Sequence, residues 1–112
     1  GRLIDVLWLD AGSGRVRAAF EVEHTTSIYS GIVRLLDLAL GSPGEATQSL
    51  YLVAPDSRED DVRVQLLRPA FRRVADLQVR YLPYSELEQN REAMARFGVG
   101  LKAIEAVSRV LV

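Results

Sequence analysis

Three acidic residues near the start of the chain have the types and spacing needed to hold a cation. Glu21 and Glu23 are separated by one residue at the end of a short apolar segment, and Asp5 lies in the preceding apolar segment. Because side chains alternate between the two faces of a strand, Glu21 and Glu23 point the same way if this segment is extended. Two carboxylates on one face repel each other unless a proton or a cation lies between them. The pair therefore indicates a site for a divalent metal ion.

The residue types that are present restrict the metal. The chain has no cysteine and a single histidine, His24, which excludes thiolate sites and argues against a conventional zinc site. Oxygen ligands favour magnesium, manganese or calcium. We expect Mg²⁺ or Mn²⁺ to be held by Asp5 and Glu21, with the backbone carbonyl of Val22 as a third ligand. Glu23 would bind a second metal or act as the base that orients a water molecule, and such a site suits phosphodiester hydrolysis.

The three acids meet only if the two apolar segments pair in one register. Residues 3–9 and 16–24 are predicted to form a β-hairpin around a glycine-rich turn. If Asp5 lies opposite Glu21, this one pair fixes every other facing pair of the antiparallel strands. The loop that remains between the strands then has a reasonable length for a hairpin. This register places all three acids on one face, whereas a slip of one residue would move Asp5 to the other face.

Periodicity and capping residues predict the elements that follow the hairpin. They are a helix from the Thr25-Thr26-Ser27 caps to about Leu40 with Gly41 as its stop, a buried strand at 49–54, a helix opened by Ser57 that ends or kinks near Pro69, a strand at 77–82, a helix with a Ser85/Glu88 capping box that Gly98 closes, and a helix at about 99–111. The order predicts an α/β fold, with a mixed central sheet led by a β-hairpin and flanked by helices.

Candidate substrate contacts lie where the first helix begins. Thr26 and Ser27 are most simply N-caps, and the functional alternative is a phosphate contact at the helix N-terminus. Tyr29 and Arg34 can face the cleft that holds the acids. Arg34 is equally well spaced to pair with Asp37, three residues later on the same helix.

The pattern of an Asp on one strand, an acid-x-Lys triplet on the next and then a helix resembles the restriction-endonuclease-like nucleases of the PD-(D/E)xK superfamily. Asp5 matches the Asp, Glu21 matches the acid, and Glu23 stands where Lys is usual. The stretch from Phe20 to Arg34 is similar to a branch of this superfamily found in prokaryotic restriction and defence proteins.

This resemblance implies a magnesium-dependent DNA endonuclease domain that works in a restriction, defence or repair system, with DNA as its partner. Glu at the position of Lys also occurs in members of the superfamily that only bind or scaffold. The alternative is therefore a catalytically inactive DNA-binding or dimerisation module. A third interpretation is a plain interaction domain that forms a homodimer through the 99–111 helix.

Length and composition fit a single domain over residues 1–112, which the resemblance implies is nuclease-like, and the absence of an initial methionine suggests a fragment of a longer protein. The net charge of -1 gives no overall attraction to nucleic acid. The positive charge is nearly all arginine, and residues 62–82 hold five arginines against one acid, which hints at a surface that faces phosphates. No apolar run is long enough to span a bilayer and no signal peptide is present, so we expect a cytoplasmic protein.

Overall fold

A four-stranded mixed sheet carries helices on both of its faces. The computed structural model describes residues 5–9, 12–14, 16–41, 49–74, 77–97 and 101–112. The elements are β1 (Val6–Leu9), β2 (Val16–Val22), α1 (Ile28–Leu40), β3 (Ser49–Ala54), a 3₁₀ turn (Asp56–Arg58), α2 (Glu59–Leu66), α3 (Pro69–Arg72), β4 (Val79–Pro83), α4 (Tyr84–Phe97) and α5 (Leu101–Val107). The strands lie in the order β1-β2-β3-β4, with β1 antiparallel to β2 and the other pairs parallel. The predicted fold class is confirmed.

The hairpin has the register that brings the acids together. Val6 pairs with Phe20 and Leu7 pairs with Ala19, so the next facing pair toward the end of the hairpin is Asp5 and Glu21. The register shifts by one residue between Trp8 and Leu9, so that Leu9 pairs with Val16. The predicted register is therefore wrong at Leu9. Residues 3 and 4 of the predicted first strand lie outside the described residues.

Alternation along β2 divides its side chains between two apolar layers. Ala18 and Phe20 point to the face that α4 and α5 cover, whereas Ala19 points to the face that α1 and α2 cover. Glu21 and Glu23 continue the second row, because they are two and four residues beyond Ala19. The glutamates therefore lie in the layer beneath α1, in line with buried aliphatic side chains.

The start of α4 differs from the predicted capping box. Ser85 does not pair with Glu88; its N–H donates to Oδ1 of Asp56 at 3.0 Å, and its hydroxyl donates to Oδ2 of the same carboxylate. These hydrogen bonds from Ser85 hold the pKa of Asp56 below its ordinary value. Glu88 instead pairs with Arg91 at 3.3 Å. The prediction was wrong because the cap comes from the 3₁₀ turn after β3, and not from the helix itself.

The last helix is shorter than predicted. It ends at Val107, and Arg109 forms a β-bridge to Tyr81 of β4, with both N–H···O distances at 2.8 Å. Ile104 and Val107 pack against the sheet, so the side of α5 that carries them belongs to the core of the chain. Homodimerisation stays a prediction. No helix in the described ranges has the length and apolar character of a membrane span.

Candidate functional site

Two buried carboxylates at the end of β2 form the base of the site. Glu21 is 0% exposed and Glu23 is 1% exposed, and both lie beneath α1. An ionised carboxylate without partners in such a place would strongly destabilise the fold. Charged and hydrogen-bonding neighbours are therefore required.

Arg34 supplies the charge that opposes both carboxylates. Its Nε donates to Oε1 of Glu21, and its Nη2 donates to Oε1 of Glu23 at 2.7 Å. Arg34 therefore faces the cleft, while Asp37 remains exposed on the same helix. Burial raises the pKa of Glu21, although hydrogen bonds from the Asp5 N–H and from Arg34 act against that shift. Burial by itself would lower the pKa of Arg34, but the two carboxylates outweigh it and the pKa is raised.

Asp5 joins the cluster through a reciprocal pair of hydrogen bonds. Its N–H donates to Oε2 of Glu21 at 2.9 Å, and its own Oδ2 accepts from the Val22 N–H at 2.9 Å. One carboxylate oxygen from each of Asp5, Glu21 and Glu23 lies within 4.8 Å of the other two. Asp5 is exposed, so the cluster has one solvent-facing member above two buried ones.

The two hydroxyl residues before α1 have different partners. The Thr26 hydroxyl donates to Oε2 of Glu23 and so belongs to the acid cluster. The Ser27 hydroxyl accepts from the Ser30 N–H at 3.1 Å, which confirms that Ser27 is the N-cap of α1. Gly41 ends the same helix, as predicted.

Tyr29 does not border the acid cluster. Its ring packs against Phe71 of α3 at 5.5 Å between centroids, and the guanidinium of Arg68 lies 4.8 Å from its centroid. The predicted cleft position of Tyr29 is therefore wrong. As the second residue of α1, it points to the flank that α3 covers.

A glycine in the middle of α1 allows the helix to approach Glu23. A Cβ atom at Gly31 would lie 2.8 Å from Oε1 of Glu23 and 3.0 Å from Cδ1 of Leu52. Sequence reasoning missed this residue. The available signal was a glycine inside a predicted helix. Glycine costs about 1 kcal/mol relative to alanine at such a position, so its presence there suggests that another group packs closely against the helix.

Arg58 ties down the loop between β2 and α1, and it was also missed. Its Nη1 donates to the carbonyl oxygen of Thr26 at 2.7 Å and to that of His24 at 3.2 Å, while its Nη2 pairs with Asp61 at 3.0 Å. An arginine beside the three consecutive acids at the start of α2 is expected to pair with one of them on the helix surface. The sequence therefore gave no signal that Arg58 also contacts the loop.

A cavity of about 420 Å³ opens over the cluster. Its lining consists of Asp5, Val22, Glu23, Thr26, Ser27, Ser30 and Arg34. Most of these side chains are polar, and the lining combines acceptors of the cluster with the N-terminal turn of α1. The arrangement can hold a hard cation on carboxylate oxygens and can place an anionic group near Arg34 and the helix N-terminus.

Comparison with known proteins gives a family for the chain. The profile of the "Type II restriction enzyme NmeDI C-terminal domain" matches residues 1–109. The Type II restriction enzyme NmeDI of Neisseria meningitidis serogroup C is 35% identical over 86 residues, which cover 77% of this chain and 23% of that enzyme. No solved structure gives a significant match. The chain therefore belongs to the family of the C-terminal domain of the Type II restriction enzyme NmeDI.

Proposed function

We propose that this chain is a metal-dependent DNA endonuclease domain that hydrolyses phosphodiester bonds in a restriction or defence system. The observation that carries this proposal is the convergence of Asp5, Glu21 and Glu23, of which Asp5 and Glu23 line an open polar cavity. The relationship to a restriction enzyme supports DNA as the substrate. The order of hairpin, helix and parallel strand is also that expected from the resemblance to the PD-(D/E)xK nucleases.

The donor set fits a hard divalent cation. The three acids offer only oxygen, which suits Mg²⁺ or Mn²⁺. One carboxylate oxygen from each acid lies within 4.8 Å of the other two, so the three could hold one ion together. We propose Asp5 and Glu21 as the metal-binding carboxylates, with the carbonyl of Val22 beside them. The ion would polarise the phosphate and make a bound water molecule more acidic.

The remaining residues of the cavity have the chemistry that hydrolysis of a phosphodiester requires. Glu23 takes the place of the usual Lys and accepts the proton of the attacking water, while the Thr26 hydroxyl holds its other oxygen in position. Arg34 carries positive charge toward the scissile phosphate, whose negative charge increases in the transition state. Ser27 and the first N–H groups of α1 contact the adjoining phosphate.

One observation favours a second candidate, a catalytically inactive module that binds DNA. Arg34 already pairs with Glu21 and Glu23 through two charged hydrogen bonds and offsets part of their negative charge. A fold that has lost the metal needs such a replacement, because two buried carboxylates cannot remain unpaired.

Cleavage of duplex DNA in the presence of Mg²⁺, Mn²⁺ or EDTA separates these two candidates. We expect cleavage with either metal, and a loss of at least about 100-fold in the Asp5→Ala and Glu21→Gln variants. Asp37→Asn is the matched control, because it removes a carboxylate from the exposed surface of α1. Calorimetric titration with Mn²⁺ gives a second readout. DNA binding with neither cleavage nor metal binding would support the inactive module.

A further inference from the structure

Three arginines around α3 form an exposed patch, which we call the α3 patch: Arg68, Arg72 and Arg73. None of them forms a salt bridge with a residue in the described ranges. The Arg68 side chain donates a hydrogen bond to Gln65 at 3.4 Å and contacts the Tyr29 ring. Within the described part of the chain, the three positive charges of the patch therefore have no carboxylate partner.

The acids of α2 do not neutralise the patch, because each of them has another partner, and Asp76 lies outside the described residues. On α2, Asp60 pairs with Arg63, and Asp61 pairs with Arg58. Glu59 contacts both Arg63 and Arg109.

Not all of the arginines in residues 62–82 belong to one exposed surface. Arg80 lies elsewhere, because its Nε donates to the Ser108 hydroxyl at 2.6 Å and its Nη2 reaches the Glu105 carbonyl at 3.3 Å. Arg63 pairs with carboxylates of α2. The arginines that remain form the α3 patch.

The α3 patch and the acid cavity lie on opposite flanks of α1. Ser30 and Arg34 line the cavity, whereas Tyr29 packs on Phe71 toward α3. α1 lies between the two sites, and an α-helix with its side chains is about 10–12 Å across. The major groove of B-DNA has a similar width of about 12 Å.

We propose that the α3 patch binds the phosphates of duplex DNA, on the strand that faces across the groove from the strand held at the acid cavity. This inference rests on the proposed function, and it names the substrate as a duplex. Arginine suits the role because its planar guanidinium matches phosphate oxygens and keeps its charge. Each phosphate contact releases bound counterions, so its loss changes the salt dependence of binding.

The test is fluorescence anisotropy of the full chain with a labelled duplex of about 20 base pairs in EDTA, across about 50–200 mM salt. Arg73→Gln should reduce the slope of log affinity against log salt by about 1, and should weaken binding about eightfold near 0.1 M salt. The double variant Arg72→Gln/Arg73→Gln should lose twice as much slope. Arg91→Gln is the control, because it removes the same charge from α4, on the other face of the sheet.

Each outcome bears on the inference separately from the nuclease proposal. Equal binding by the Arg73 and Arg91 variants would contradict DNA binding by the α3 patch and would leave the proposed function unaffected. No binding of wild-type protein to the duplex would overturn the patch as well. An equal loss on single-stranded DNA would remove the assignment to a duplex. Binding that depends on the patch in a chain that never cleaves would support the inference and contradict the nuclease activity.

Discussion

Nη2 of Arg34 lies 2.7 Å from Oε1 of Glu23, so a side chain from the middle of α1 reaches the carboxylate that follows β2. The same guanidinium binds Glu21. Arg34 thus provides the positive charge that the repulsion between the two glutamates requires. Any metal that binds these oxygens must compete with Arg34, and this competition makes the proposed site testable by stability as well as by cleavage.

We predict that Arg34→Met destabilises the metal-free protein and increases its response to metal. Removal of the guanidinium leaves two buried carboxylates without a positively charged partner, which typically costs about 3–5 kcal/mol of the free energy of unfolding. A divalent cation binds the variant without displacing an arginine, so it should restore much of this loss. Urea unfolding in EDTA and in Mg²⁺ measures both effects.

Arg91→Met is the control for this experiment. Its salt bridge to Glu88 is exposed, with side chains 75% and 69% accessible, so its loss should change stability by less than about 1 kcal/mol. Equal stabilisation of wild type and Arg34→Met by Mg²⁺ would contradict competition at the carboxylates.

The buried carboxyl group of Glu21 predicts a dependence of stability on pH. Burial raises its pKa above the ordinary value of 4.5, against the hydrogen bonds that it accepts. A group whose pKa rises on folding stabilises the folded state below the unfolded pKa, and this contribution is lost as the pH increases through the folded pKa. In EDTA, wild type should therefore lose stability relative to Glu21→Gln from about pH 4.5 upward. Parallel curves of unfolding free energy against pH would show that Glu21 has no such effect.

The position of the acid cluster could be predicted because it depends on local rules. The alternation of side chains and the hairpin register together place Asp5 opposite Glu21, and Ser27 and Gly41 set the limits of α1. These features involve neighbours in sequence or a single short turn, so a pattern is enough to identify them.

Long-range partners account for what the sequence could not predict. Ser85 has a suitable acid at Glu88, yet Asp56 reaches it across the sheet edge. Arg109 follows a helical periodicity, yet its backbone pairs with Tyr81. In both cases a local signal was outweighed by a contact between residues more than 25 positions apart, which periodicity and capping rules do not include.

The Asp56 cap leads to a prediction at acid pH. Asp56→Ala should destabilise the protein by about 1 kcal/mol near neutral pH, because it removes an acceptor from the start of α4. The pKa of Asp56 is lowered by Ser85, so its contribution is present above the ordinary value of 3.8 and is lost as the pH falls through the folded pKa. The difference between wild type and variant should shrink in that range, as measured by urea unfolding. Asp56→Asn keeps an acceptor but does not titrate, so the difference in stability between Asp56→Asn and Asp56→Ala should not change with pH.

Gly31 provides the last prediction, because it decides how closely α1 approaches the cluster. Gly31→Ala should gain about 1 kcal/mol from helix propensity, but the new methyl group would lie 2.8 Å from Glu23 Oε1 and 3.0 Å from Leu52 Cδ1. Neither neighbour can move into solvent, since both side chains are buried. We therefore expect a net loss of about 1–3 kcal/mol in the free energy of unfolding, together with slower DNA cleavage as Glu23, the proposed base, is displaced. Asp37→Ala, an exposed change in the same helix, should leave both quantities nearly unchanged, and a stabilised Gly31→Ala variant would show that α1 does not pack against Glu23.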